Sequence, residues 1–199
     1  MSKEQNKPLD YKYIEQLMKE SGALLEGHFL LSSGLHSPYY LQCALFLRFP
    51  KNAEIAGKLL AEKIVKLGKP DFVVSPALGG LIIGHEVARA LDVPFLFCER
   101  EGGIMKMRRF TPPSGGKYVV VEDVITTGKS TLETIEAVNA KTSADLLGVA
   151  CIVDRSSGKL QSLPSPISLW QVDFPVYSPE DCPLCKDSSL PLVKPGSRS

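Results

Sequence analysis

The sequence lacks a surplus of either charge. Its 23 Lys+Arg stand against 22 Asp+Glu, a formal +1, so no bulk attraction to nucleic acid or to an anionic membrane is expected. It lacks an apolar run long enough to cross a bilayer, and residues 1–10 are polar, with no signal-peptide core. No membrane attachment and a cytoplasmic location are therefore expected. Cysteine is scarce and odd in number: Cys43, Cys98, Cys151, Cys182 and Cys185. Three of them lie inside apolar runs, which argues for reduced buried thiols and against a disulfide framework. Also missing are a G-x-x-x-x-G-K-[ST] loop, a G-x-G-x-x-G loop, internal repeats and low-complexity tracts. What remains is an ordinary globular composition, 44% hydrophobic and 23% charged, over 199 residues. That length fits one domain, or one domain with a small appendage.

Residues 117–131, K-Y-V-V-V-E-D-V-I-T-T-G-K-S-T, organise the rest. The valines after Tyr118 read as a strand covered on both faces, which ends in Glu122 and Asp123. After Val124 and Ile125 come Thr126, Thr127, Gly128, Lys129, Ser130 and Thr131, and then Leu132, Ile135 and Val138 at helical spacing. A hydroxyl-rich loop at the positive end of a helix aims N–H and O–H groups at one point, as a phosphate cradle does. Two carboxylates beside it suit the hydroxyls of a ribose, or water on a bound Mg²⁺. Ribose and phosphate together suggest a phosphorylated sugar.

Other stretches fall into place around this one. Residues 9–21 predict an amphipathic helix with Tyr13, Ile14, Leu17 and Met18 on one face, stopped by Gly22. Residues 23–42 predict short strands separated by turns, with Phe29, Tyr39 and Tyr40 offering flat faces to a planar base. A long helix is expected over 51–67, a strand over 71–75, a tight turn at Pro76-Ala77-Leu78-Gly79-Gly80 and a helix over 81–91. Buried strands follow at 94–99 and 146–153, and a last edge strand at 167–172. Between them, residues 100–116 form a long, glycine-rich loop bearing Arg100, Lys106, Arg108 and Arg109, suited to closing over a polyphosphate. Arg155 follows the strand at 146–153, where open α/β sheets bind ligands, and a guanidinium pairs bidentately with a carboxylate. Residues 177–199 predict little regular structure. Cys182-x-x-Cys185 supplies two zinc ligands, but no second pair is evident nearby, so a loop turn is expected there.

The run V-V-V-E-D-V-I-T-T-G-K-S-T resembles the phosphoribosyl-pyrophosphate (PRPP) motif of the type I phosphoribosyltransferases. G-H-F-L-L-S-S-G-L-H-S-P-Y-Y resembles the N-terminal segment of the orotate phosphoribosyltransferases, and that likeness extends over nearly the whole chain. Many members carry lysine where this chain has Ser32, Gly79 and Glu101. The resemblance implies an α/β fold: an open, mainly parallel sheet flanked by helices, with a small N-terminal hood. It implies one domain over 1–199, comprising a helix and base-binding hood at 1–50, a core at 51–175 and a tail at 176–199. The implied reaction is Mg²⁺-dependent: orotate and PRPP give orotidine 5′-monophosphate and pyrophosphate, with Mg²⁺ bound mainly through PRPP.

By the same resemblance and by charge, PRPP would be held by Arg100, Glu122, Asp123, Val124, Ile125, Thr126, Thr127, Gly128, Lys129 and Ser130, with Ala77, Leu78 and Gly79 at the pyrophosphate. Orotate would meet Tyr39, Tyr40, Thr126 and Arg155, and catalysis would rest on Glu122, Asp123, Lys106, Arg108 and Arg109. A homodimer is implied, with the mobile loop reaching the partner's site. A purine phosphoribosyltransferase, a PRPP-sensing regulator and an inactive orotate homologue remain open as alternatives.

Overall fold

The computed structural model describes residues 11–31, 33–160, 162–186 and 190–195. Ser32 lies outside them. Helix α1 (Tyr11–Glu20) turns its apolar side inward through Ile14 and Met18. Strands β1 (Leu24–Leu30) and β2 (His36–Leu41) then pair antiparallel, with Leu30 opposite His36 and Phe29 opposite Ser37. A short helix that periodicity did not reveal, α2 (Cys43–Leu47), buries Cys43, Phe46 and Leu47. Pro50 starts α3 (Pro50–Ile64) in the first-turn position that tolerates its missing N–H.

From there strands and helices alternate: β3 (Phe72–Pro76), α4 (Gly80–Leu91), β4 (Phe95–Glu101), β5 (Ile104–Lys106), β6 (Lys117–Ile125), α5 (Lys129–Asn139), β7 (Asp145–Asp154) and β8 (Ile167–Gln171). They build a sheet of order β5-β4-β3-β6-β7-β8, parallel throughout except for the hairpin strand β5. Side-chain alternation divides each central strand between two cores. Val73, Val119, Val121, Ala150 and Ile152 face α1, α3 and α4, while Phe72, Val74, Tyr118, Val120, Val149 and Cys151 face α5. Burial on both faces is why these strands read as unbroken apolar runs and not as alternating ones.

Three expectations are revised. Strand β6 does not stop at the acids: it continues through Glu122 and Asp123 to Ile125, because β7 pairs with it as far as Ile125 opposite Asp154. Residues 100–116 do not form one open loop. Strand β4 extends to Glu101 and folds back as β5, because Met105 and Met107, two residues apart, both reach the second core. Nor is the tail without regular structure. Pro183–Lys186 is a single 3₁₀ turn, and β9 (Leu192–Val193) adds parallel to β1, with His28 opposite Leu192. The result is a small second sheet, β2-β1-β9.

Helices α3 and α4 cross at Gly57. A Cβ there would lie 2.7 Å from Glu86 Cβ and 2.8 Å from the Glu86 carbonyl carbon. Backbone cannot yield as a flexible side chain does, so Gly57→Ala is expected to destabilise the fold by about 1–3 kcal/mol. Urea titration should show this as a lower midpoint with an unchanged slope.

Candidate active site

The two acids of β6 point to opposite faces of the sheet because they are neighbours on a strand. Glu122 turns toward α5, where the Thr131 hydroxyl donates to its Oε1 at 3.3 Å. Asp123 turns toward the start of α4. Its Oδ1 accepts from the Val124 N–H at 2.9 Å, and a Cβ on Gly79 would come within 2.7 Å of the same oxygen. The turn Ala77-Leu78-Gly79 and Asp123, separate in sequence, are thus one locus. The bare backbone at residue 79 is what lets the carboxylate settle there. The Ala77–Leu78 peptide is cis, and the Ala77 N–H donates to the Cys98 carbonyl at 2.7 Å.

Burial pushes Glu122 up to about 8, and the adjacent Asp123 charge adds to this while the Thr131 hydrogen bond opposes it. Asp123 is raised too, again by burial, with the Val124 N–H pulling the other way. A protonated carboxyl donates and a carboxylate accepts, so the pair can serve adjacent hydroxyls in either sense.

Past Ile125 the chain enters the predicted phosphate loop. Gly128 occupies the N-cap of α5 at φ 73, with no side-chain cap bond to the helix. The Lys129 N–H reaches back to the Thr127 hydroxyl at 3.4 Å, and among the described residues no side chain caps the next amides of the first turn. Glycine suits position 128: its φ is left-handed, and a Cβ would press on the side-chain tips of Leu163 (Cδ1, 2.7 Å) and Leu160 (Cδ2, 2.9 Å). Thr126, Thr127, Lys129 and Ser130 are exposed around it, whereas Ile125 is buried. Val124 is half-buried and packs on the first core.

Arg155 leaves the neighbouring strand end, its N–H donating to the Ile125 carbonyl at 2.8 Å. Its guanidinium lies 5.3 Å from the centre of the Phe174 ring, and its Nε is buried with no partner among the described residues. Burial lowers its pKa, so its charge is short of compensation. Arg155, Thr126, Thr127, Ser156, Asp173 and Phe174 line one cavity of about 410 Å³. Tyr39 stands behind this wall, its ring stacked on Phe174 at 4.8 Å. Tyr40 points the other way and packs on Phe29.

The basic residues of the β4–β5 hairpin are all engaged with carboxylates. Lys106 and Arg108 each reach Glu101 at 3.0 Å, and Arg109 reaches Glu99 at 2.9 Å. The Lys106 hydrogen bond, with the Arg108 charge next, holds Glu101 below the usual carboxylate range. Arg100 pairs with Glu133 of α5 and donates to the Gly103 carbonyl at 2.8 Å. Glu101 thus gathers two hairpin cations.

Sequence reasoning missed Phe174, Asp173 and Ser156. A weak signal was present: D-F-P follows β8, so it leaves the sheet at the same edge as Arg155.

The Glu122 shift has a measurable consequence. Below about 4.5 the group is neutral whether folded or unfolded. Between there and about 8 the unfolded chain has released the proton that the fold still holds, so stability falls as pH rises through that window. Glu122→Gln removes this dependence while keeping an acceptor for Thr131. The variant's melting temperature relative to wild type should rise from pH 5 to pH 8.

These elements match known proteins closely. The phosphoribosyl transferase domain family matches residues 47–178. The orotate phosphoribosyltransferase of Thermotoga maritima is 48% identical over 186 residues, covering 93% of this chain and 98% of its own. That of Caldicellulosiruptor saccharolyticus is 49% identical over 185 residues, covering 92% and 95%. Among solved structures, orotate phosphoribosyltransferase from Aeropyrum pernix superposes with a TM-score of 0.69 at 29% identity, over 80% of this chain and 93% of that one. With whole-length relatives at this identity and the same sheet, the chain belongs to the type I phosphoribosyltransferases, in the orotate phosphoribosyltransferase family.

Proposed function

We propose that the protein transfers the phosphoribosyl group of PRPP to orotate, releasing pyrophosphate and forming orotidine 5′-monophosphate for pyrimidine nucleotide synthesis. The observation that carries this reading is Arg155: a half-buried guanidinium, short of partners, sharing a cavity with the phosphate-loop threonines. Such a group calls for an anion, and orotate brings a carboxylate that it can hold through two hydrogen bonds. A purine base would leave the charge unmet.

In this reading Thr126 to Ser130 and the first-turn amides of α5 hold the 5′-phosphate. Glu122 and Asp123 hold the ribose hydroxyls, and Asp123's charge favours the cationic character that develops at the ribose carbon as the bond to pyrophosphate lengthens. No protein nucleophile is required; positioning and charge stabilisation carry the rate. Residues 77–79 take the pyrophosphate. Tyr39 acts by fixing Phe174 against the base. The oxygen-only donors around Asp123 fit a hard divalent ion, and Mg²⁺ arriving with PRPP would neutralise the leaving pyrophosphate. The working unit is a homodimer in the cytoplasm; among the described residues no helix is long and apolar enough to cross a membrane. On closure, Lys106, Arg108 and Arg109 exchange Glu101 and Glu99 for the polyphosphate of the partner's site, excluding water.

Purified protein with Mg²⁺ and PRPP, offered orotate, hypoxanthine or uracil in turn, should release pyrophosphate with orotate. Release only with hypoxanthine would give the purine reading. Arg155→Ala should raise the orotate KM at least about tenfold and that of PRPP far less, in line with loss of a charge-assisted pair. Equal effects on both would take Arg155 out of the base site. Arg108→Ala/Arg109→Ala should be slow by itself, and so should Asp123→Asn. Mixed and allowed to exchange subunits, they should regain activity; no gain would mean that the hairpin serves its own chain.

A further inference from the structure

The tail and the hood converge on a cluster that the activity does not use. Strand alternation puts His28 on the same face of the hairpin as His36, since His36 pairs with Leu30, two residues away. Cys182 and Cys185 come over that face from the tail, Cys182 just before the single turn of 3₁₀ helix and Cys185 within it. His28, His36 and Cys182 are buried and Cys185 is exposed, and the four ligand atoms all lie within 4.8 Å of one another. The sequence showed only the cysteine pair, because nothing local announces that a tail strand will add to β1.

The distances are those of one shared ion. A tetrahedral zinc with bonds of about 2.3 Å to sulfur and about 2.0 Å to nitrogen separates N from N by about 3.3 Å and S from N by about 3.5 Å. Here His28 Nε2 lies 3.0 Å from His36 Nδ1. Cys182 Sγ and Cys185 Sγ lie 3.6 Å and 3.7 Å from His28 Nε2, and Cys185 Sγ lies 3.2 Å from His36 Nδ1.

The surroundings fit as well. His28 Nδ1 is 3.3 Å from the Leu190 carbonyl, and donating there leaves Nε2 as a bare lone pair. A lone pair facing a second imidazole nitrogen and two sulfurs in a buried space is poorly served by hydrogen bonding alone. A dication bound by two thiolates and two neutral imidazoles is formally neutral, which lets it be buried. Two nitrogens and two sulfurs in tetrahedral array select zinc among common ions. Four protein ligands close the coordination sphere, as in structural sites.

We propose that His28, His36, Cys182 and Cys185 form a structural zinc site that fastens the tail to the hood. The fastening extends toward the cavity. Tyr177 and His36 exchange backbone hydrogen bonds at 2.9 Å, and the Ser37 hydroxyl donates to the Pro175 carbonyl at 3.0 Å. Val176 lies between these anchors and Phe174 immediately before them, and both line the cavity. The metal site stands on its own geometry and does not depend on the reaction assigned above.

The test uses untagged full-length protein, purified under reducing conditions from zinc-supplemented culture. Metal analysis should find about one zinc per chain after dialysis, and less than about a tenth of that in Cys182→Ser/Cys185→Ser. Cobalt(II) added to the zinc-free protein should give tetrahedral d–d bands and thiolate charge-transfer absorption. Removing zinc should lower the melting temperature by about 5 °C or more and open residues 176–186 to protease while the α/β core resists. The proposal is overturned if folded wild type holds no zinc and takes up no cobalt, if Cys182 and Cys185 form a disulfide with each other, or if the double variant keeps its zinc. Should that variant fail to fold, the cobalt spectrum of wild type decides alone, and octahedral bands or no binding would reject the site.

Discussion

Parallel pairing of β4, β3, β6, β7 and β8 is the constraint on which the rest depends. Every strand in such a ladder must be entered from the same side, so every strand also leaves at the same edge. The turn at 77–79, the hairpin after β4, the hydroxyl loop after β6, Arg155 after β7 and Phe174 after β8 are therefore neighbours by topology, however far apart in sequence. The site requires no further device to gather it. The price is a sheet covered on both faces, and the two apolar cores meet that need by burying alternate residues of each strand.

Within that edge, one residue of register separates two roles. Because β6 continues to Ile125, Glu122 faces α5 and Asp123 faces the start of α4. Adjacent acids are thereby divided between the helix that opens the hydroxyl loop and the turn beside β3. Burial makes each resist ionising, and at Glu122 the neighbouring Asp123 charge adds to it. Glu101 applies opposite logic at the surface, where solvent-exposed cations hold it ionised. The same residue type is thus tuned in opposite directions at the two ends of the site.

Much of this was legible in the sequence. Apolar runs at 118–121 and 146–153 had the length and β-branching of doubly covered strands, and both are central strands of the sheet. The helices over 51–67 and 81–91 were written at a period near 3.6 and form with small shifts at their ends. What failed was local reasoning about non-local pairing. Glu122-Asp123 looked like a strand end because acids disfavour strands, yet β7 supplies the ladder that carries β6 past them. Residues 100–116 looked like one loop because their methionines are isolated in sequence and meet a core only when the hairpin folds back. Phe174 carried no motif, and its place beside Arg155 follows only from the position of β8.

The parallel addition of β9 to β1 bears on the order in which the molecule is made. Strand β1 lies near one end of the chain and its partner near the other, with the whole α/β core between them. During synthesis the core strands can associate as they emerge, but the hood sheet stays incomplete until residue 193 has cleared the ribosome. The turn between β6 and α5 can therefore form before the hood sheet is finished.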